Sequence, residues 1–342
     1  MLFIHDTSCI SPQMSFGEAD ILHLQPDADG RLLAKEPEYK GIPPGVLRRM
    51  GKAVRMGVGA AIPLLQRAGI PEGIIIGTAI GGMEDCIKFL NQIIEYDEGI
   101  LTPGNFVQST TNAVTAQIGL INKNHGYNIT HVHRGLAFEM ALLDTMMMAR
   151  EKPASWWLTG AVDEISSYNY NIERLGGWYK SVVVKNEGLY DSGTAGTLAG
   201  EGAAMFLLSG QKENAIAVVR NVETIHTDDV NVVNERWNKF SYENPAELIV
   251  SGENGDIRFI SYYLNARKSA EQGADIIRFK HLSGEYPTAA AFALWLSCLI
   301  IKGQPVPDSL YVFPRKKKSY KSITIYNNYK GQQHSFINIS LV

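Results

Sequence analysis

The stretch from Tyr127 to Arg150 constrains this chain more than any other. Asn128 to His133 reads as a short strand. Leu136 to Arg150 reads as a helix apolar nearly all round, with Leu136, Met140, Leu143 and Met147 along one side and Phe138, Ala141 and Leu142 along another. A helix apolar on most faces is a buried one. Gly135 sits between the two, at the tightest point of a strand–turn–helix elbow. A side chain there would stand at a helix N-terminus, where unpaired amides and the helix dipole favour an anion. The elbow therefore has the setting for a nucleophile, and a glycine in the nucleophile's place. Gly135 is expected to hold a conformation that a β-carbon disfavours, deep between two sheets.

A chain of 342 residues, 45% of them apolar, can bury a large core as one big domain or as two fused halves. Its 32 Lys and Arg nearly balance 35 Asp and Glu, which implies no nucleic-acid or anionic-membrane partner. No run approaches the ~20 consecutive apolar residues of a membrane span, and the first residues form no charged-then-apolar leader. Three cysteines without paired spacing point to a reducing compartment, so the expected location is cytoplasmic.

Leu2 to His5 reads as a first strand, and Cys9 after it is either a displaced nucleophile or a half-buried structural thiol. The polar, Pro-containing run Ala19 to Pro44 reads as a surface excursion with a turn at Asp27–Gly30. Val46 to Gly69 has helical spacing throughout, and its basic start (Arg48, Arg49, Lys52, Arg55) reads as a solvated face. Ile74 to Gly82 is a strand and a Gly-rich turn that lacks the spacing of a dinucleotide fingerprint. Cys86 and Cys298 fall in helical patterns as core residues, and Ala113 to Ile121 is a further helix. Ile165 to Lys185 is rich in aromatics (Tyr168, Tyr170, Trp178, Tyr179), as interfaces and wrapped surface loops are. Strand–helix alternation resumes after Ala215, which makes the chain an α/β layered fold.

The elbow resembles the nucleophile segment of the β-ketoacyl synthases, a thiolase-fold family. Without a gap, Gly126-Tyr127 take the place of that segment's Gly-Pro, and Gly135 takes the place of its cysteine. Ala141-Leu142 match the family helix, and Leu158 to Glu164 match the strand ending in Gly-Gly-Ala-Glu, both in the same register. Cys9-Ile-Ser-Pro resembles the Val-Ser-Pro loop, Gly77 to Gly82 the Gly-Thr-Gly-Ile-Gly-Gly strand end, and Gly200-Glu-Gly-Ala its counterpart before the first half's last strand. In Leu101 to Asn112 the residues Pro103, Phe106, Ser109 and Asn112 keep the family pattern beside the dimer seam and acyl pocket. Arg48-Arg-Met resembles a segment of chain-length-factor-like homologues. The resemblance implies a thiolase-like five-layer αβαβα arrangement of two related halves, 1–210 and a shortened 211–342.

In that family the cysteine accepts an acyl group from a carrier, and two histidines assist decarboxylation and condensation. The resemblance puts Ser251 in the first histidine's place and Glu285 in the second's, while Lys280 and Gly284 are kept. Glycine cannot form a thioester. Serine cannot bring positive charge toward an enolate, and a glutamate repels the oxyanion that histidine stabilises unless burial protonates it. Tyr329 stands where the family has a gating phenylalanine. Phe106, His133, Arg134 and Tyr329 are the substrate-facing candidates, Arg134 either as a cation meeting phosphopantetheine or as a member of a buried ion pair. His131 and His133, two apart on a strand, share a face. A metal would need a third ligand that is not evident, so none is assigned; a histidine nucleophile and plain packing histidines stay open.

What this implies is a ketosynthase-like protein without the Cys-His-His condensing residues. It is similar to the chain-length-factor partners of active ketosynthases in type II polyketide, aryl-polyene or fatty-acid-type biosynthesis. Such partners often carry glutamine where this chain has Gly135, which is a departure. No cofactor is expected beyond the phosphopantetheine of an acyl or malonyl carrier protein as ligand. The strand Tyr127 to His133 is expected to pair across a two-fold, in a homodimer or in a heterodimer with an active ketosynthase. The rival readings are an acyltransferase or decarboxylase reusing His133, Arg134 or Glu285, and a homodimeric acyl-binding module.

Overall fold

The computed structural model describes every residue except Ala28, Ile100 and Thr102. The turn expected at Asp27–Gly30 and the pattern in Leu101–Asn112 each include one residue outside the described set. Among the described residues, ten strands form one hydrogen-bonded series: β1 (Leu2–Ile10), β2 (Gly73–Gly77), β3 (Tyr127–His131), β4 (Trp157–Asp163), β5 (Gly202–Ser209), β6 (Ala217–His226), β7 (Leu248–Ser251), β8 (Asp275–Arg278), β9 (Ser322–Tyr329) and β10 (Gln333–Ser340). Their spatial order is β3-β2-β4-β5-β1, then β6-β10-β9-β7-β8.

The two fives repeat one another. In the first, β2 lies between β3 and β4 and is parallel to both, while β5 is antiparallel to β4 and β1. In the second, β7 lies between β8 and β9 and is parallel to both, while β10 is antiparallel to β9 and β6. Antiparallel pairing of Leu2–Ile4 with Ala217–Val219 joins the fives at β1 and β6. The central parallel strands are buried on both faces, which is why β2 and β7 read as unbroken apolar runs rather than alternating ones.

Helices α1 (Lys52–Ala68), α2 (Met83–Glu95), α3 (Pro103–Gln108), α4 (Ala113–Asn122), α5 (Ala137–Glu151), α6 (Ser167–Leu175), α7 (Val230–Glu243), α8 (Ile260–Lys268), α9 (Lys280–Ser283) and α10 (Ala290–Ile301) fill three layers around the strands. One core joins α5 and α10 to strands of both fives, through Phe138, Leu142, Phe206, Phe292, Leu294 and Ile337. A second packs α1 and α4 on the first five (Val54, Leu64, Ile74, Ile118), and a third packs α7 and α8 on the second (Val233, Trp237, Phe240, Tyr263). The result is the expected αβαβα layering. Helix α10, apolar on every side, is buried from Ala290 to Cys298, as its position in the middle layer requires. None of the described helices is long and apolar enough to cross a membrane.

Several boundaries differ from the sequence reading. The helix expected over Val46 to Gly69 is a one-turn piece at Pro44–Leu47 followed by α1, because Gly51 caps the second helix in extended conformation. Strand β3 ends at His131, so His133 lies beyond it and the shared-face argument for the two histidines does not hold. A 3-10 turn, Arg134–Leu136, precedes α5. The buried side of α5 is that of Phe138, Ala141, Leu142 and Thr145, whereas Met147 on the opposite side is 58% exposed. The aromatic run after Glu164 contains α6, whose N-cap Ser166 accepts a hydrogen bond from the Asn169 amide.

Candidate functional site

The end of β2 fixes the elbow. A β-carbon on Gly77 would lie 2.6 Å from the Phe138 amide nitrogen, so strand and helix meet backbone to backbone. Gly135 is buried at this junction, just before α5. Its φ is not positive; the residue in the left-handed region is Arg134, with φ 48°. The requirement for glycine is steric instead. A β-carbon at position 135 would stand 2.6 Å from Tyr329 Cγ and 2.8 Å from Tyr329 Cδ1. The last residue of β9 therefore fills the space that a nucleophile would use.

The backbone of the elbow is also engaged. The Gly135 N–H donates to Gln333 Oε1 at 2.8 Å, and Gln333 Nε2 donates to the His133 carbonyl at 3.4 Å. An amide at a helix N-terminus is a natural anion donor; this one already has an acceptor. Gln333 opens β10, so both occupants of the elbow come from the hairpin of the second five.

Beside the elbow, Lys280 is fully buried and donates to Glu285 Oε1 at 2.7 Å, while Asn254 Nδ2 donates to Glu285 Oε2 at 2.8 Å. Both carboxylate oxygens of Glu285 are thus occupied. Ser251, at the end of β7, donates instead to Glu253 Oε1 at 3.3 Å, and Glu253 is held by Arg267. Glu139, on the buried side of α5, accepts from Ser335 Oγ at 2.6 Å through one oxygen, and its other oxygen is buried without a partner among the described residues. Burial pushes its carboxyl up to about 7, against the opposing pull of the Ser335 bond and of Lys280 nearby. Sequence reading passed over Glu139, although an acid inside an otherwise apolar helix was its visible signal.

An open cleft adjoins this network, with Glu285 and Tyr329 in its wall. The aromatics of the run after Glu164 form much of the rest. Tyr170 and Tyr179 stack with centroids 5.1 Å apart, and Trp178 stacks on Phe259. The Arg258 guanidinium and the Lys330 ammonium lie 5.0 Å and 4.5 Å from the Trp178 ring. Lys330 is paired with Glu173 and Arg258 with Asp256. Glu164, also in the wall, accepts from the Ala53 amide, and burial pushes its carboxyl up to about 7. The density of Tyr and Trp was legible in the sequence; that it lines a cleft between the fives was not.

The remaining candidates fall outside this group. Phe106 is 57% exposed on α3 and packs on Phe89. His133 and Arg134 are exposed, and Arg134 has no ion-pair partner among the described residues, so it is not a buried structural cation. His131 is held at 2.9 Å by Asp144. Cys9 and Cys298 are fully buried, and burial pushes both thiols up to about 12, far from the thiolate that a nucleophile needs.

No protein-family model matches the chain, and no curated protein sequence matches it. Solved structures do. The ishigamide ketosynthase/chain length factor matches with a TM-score of 0.76 at 13% identity, covering 100% of this chain and 99% of that one. The chain has the ketosynthase fold, the thiolase arrangement. A second structure similar in that fold is the ketosynthase ApeO in complex with its chain length factor ApeC from Xenorhabdus doucetiae (TM-score 0.76, 12% identity, 100% and 98% covered). A third is AntDE:AntF, a type II polyketide synthase acyl-carrier protein in complex with its ketosynthase bound to the hexaketide (0.70, 14%, 100% and 99%). Within the ketosynthase fold, this chain places Tyr329 and Gln333 at the elbow, and a hydrogen-bonded Lys280–Glu285–Asn254 cluster beside it.

Proposed function

We propose that this chain is a ketosynthase-fold subunit that does not condense acyl groups by itself and serves as a chain-length-factor-like partner of an active ketosynthase. The observation that carries the reading is the closed elbow. Gly135 offers no nucleophile, Tyr329 fills the space above it, and Gln333 takes its amide hydrogen. Covalent acyl transfer needs a nucleophile, and oxyanion stabilisation needs a free donor. Ser251 and Glu285, in the reading that gives them the two histidine places, are each bound into local hydrogen bonds. Two of the similar structures are pairs of a ketosynthase with its chain length factor, and a third holds an acyl-carrier protein, which supports polyketide-type assembly as the setting.

An acyltransferase or decarboxylase would need a free catalytic group. His133 and Arg134 are exposed and outside the cleft lining, and Glu285 has both oxygens engaged. The deciding experiment is co-expression with an intact Cys-His-His ketosynthase from the same gene neighbourhood and its carrier protein. The expected result is a stable one-to-one complex whose product length differs from that of the ketosynthase alone. Unaided turnover of malonyl-carrier by this chain would overturn the proposal.

A further inference from the structure

A second cleft opens between β8, α8 and the loop after β7. Arg278, the last residue of β8, lines it. Its guanidinium carbon lies 3.7 Å from the centroid of the Tyr190 ring, which holds the side chain in place. His281 completes the stack edge-on to Tyr190 and bonds its hydroxyl at 3.2 Å. Two other charged pairs line or adjoin the cleft. Glu253 is bound by Arg267 and Asp256 by Arg258. Arg278 is left over: among the described residues its side chain has neither a carboxylate nor a hydrogen-bond acceptor, and its Nε is buried without a partner. Among the described residues the hydroxyl of Tyr263 is also buried without a partner, on a residue only 2% exposed that lines the same cleft.

Arg278 is half-buried and keeps part of its guanidinium in water, but its Nε–H and the Tyr263 hydroxyl are each buried without a partner, and a polar group left so costs free energy. One ligand relieves both. The planar fork of arginine fits two oxygens of a carboxylate or a phosphate, and a tyrosine hydroxyl can donate to a third or to one of the two. We infer that the cleft lined by Arg278 and Tyr263 binds a small oxyanion, carried either as a carboxylate or as a phosphate. The site is separate from the elbow, sharing only Asn254, Asp256 and Phe259 with the wall of the larger cleft. The inference does not depend on whether the chain condenses acyl groups.

Isothermal titration of the full chain with malonate and, separately, with inorganic phosphate tests it. Binding of at least one anion is expected; the tighter one identifies the source as a carboxylate or a phosphate. Arg278→Met should weaken that binding about tenfold or more, and Tyr263→Phe, which keeps the ring packing, roughly fivefold. Arg278→Lys keeps the charge without the fork and should lie between wild type and Arg278→Met, so it decides the matter with Tyr263→Phe if the methionine variant does not fold. The inference is overturned if neither anion binds up to about 10 mM. It is equally overturned if binding is indifferent to the foldable variants, which would make it an adventitious ion elsewhere on the surface.

Discussion

Tyr329 stands over Gly135 so closely that the two positions cannot both carry a β-carbon in their present places. One comes from the last residue of β9 and the other from the turn before α5, so the contact ties the two fives together at the elbow. Gly135→Ala should destabilise the chain by about 1–3 kcal/mol, the usual cost of overpacking a filled site. Adding Tyr329→Gly should recover part of that loss. Denaturant unfolding of both single variants and the double variant measures the coupling; strict additivity would mean that the two residues do not share the space.

The same contact bears on chemistry. Incubated with acyl- or malonyl-carrier protein, the purified chain should show no covalent adduct by intact-mass spectrometry. Gly135→Cys should also remain unacylated, because the thiol would have to displace Tyr329 and the adjacent amide is held by Gln333. A stable adduct on any residue of the wild-type chain would overturn the non-condensing reading.

Glu139 should leave a pH signature. Its folded carboxyl is pushed up to about 7 from 4.5, so the folded chain holds more protons than the unfolded chain between those values. Its contribution is fully present below about 4.5, is lost as pH rises toward 7, and is flat above. Glu139→Gln should therefore match wild type near pH 4.5 and exceed it at pH 8, by up to about 3 kcal/mol. Glu164 titrates in the same range, so the difference between the two pH profiles is the quantity to measure.

Lys280→Met removes the cation that, among the described residues, is bonded to the buried Glu285. Breaking a buried pair from one side costs about 3–5 kcal/mol, because the remaining charge is left uncompensated. Lys280→Met combined with Glu285→Gln should cost less than Lys280→Met alone, in thermal or chemical unfolding. If the double variant is the weaker of the two, the pair is not the stabilising unit.

Among the described residues strand β3 is the edge of the sheet, paired with β2 on one side only. Val132 just beyond it is 52% exposed, and exposed apolar residues lie on the two helices that pack beside it, Leu120 on α4 and Met147 on α5. Proteins cover such an edge. Produced alone, the chain should form a two-fold homodimer burying more than ~1,000 Å², and Val132→Lys with Thr130→Lys should shift it to monomer. Light scattering at micromolar concentration decides it; a stable wild-type monomer would count against both the interface and a partner role.

Local sequence determined the elements. The apolar run Ile74–Ile76 between glycines, the elbow around Gly135 and the all-apolar α10 each follow from side-chain spacing within one segment, where neighbours along the chain are neighbours in space. The same reading placed Gly135 correctly at a buried turn but gave the wrong cause for it. The cause lies across the fold, since Gly135 and Gln333 are 198 positions apart and Tyr329 is nearly as far. Which oxygen of Glu285 meets Lys280, that Arg278 Nε is buried without a partner among the described residues, and that Trp178 and Tyr179 line a cleft are likewise set between segments. No spacing rule reaches them, because register and packing between layers are set by the whole core at once. The sequence by itself thus determined strands, helices and a glycine where a nucleophile could stand; only the tertiary structure decided that Tyr329 and Gln333 close that place.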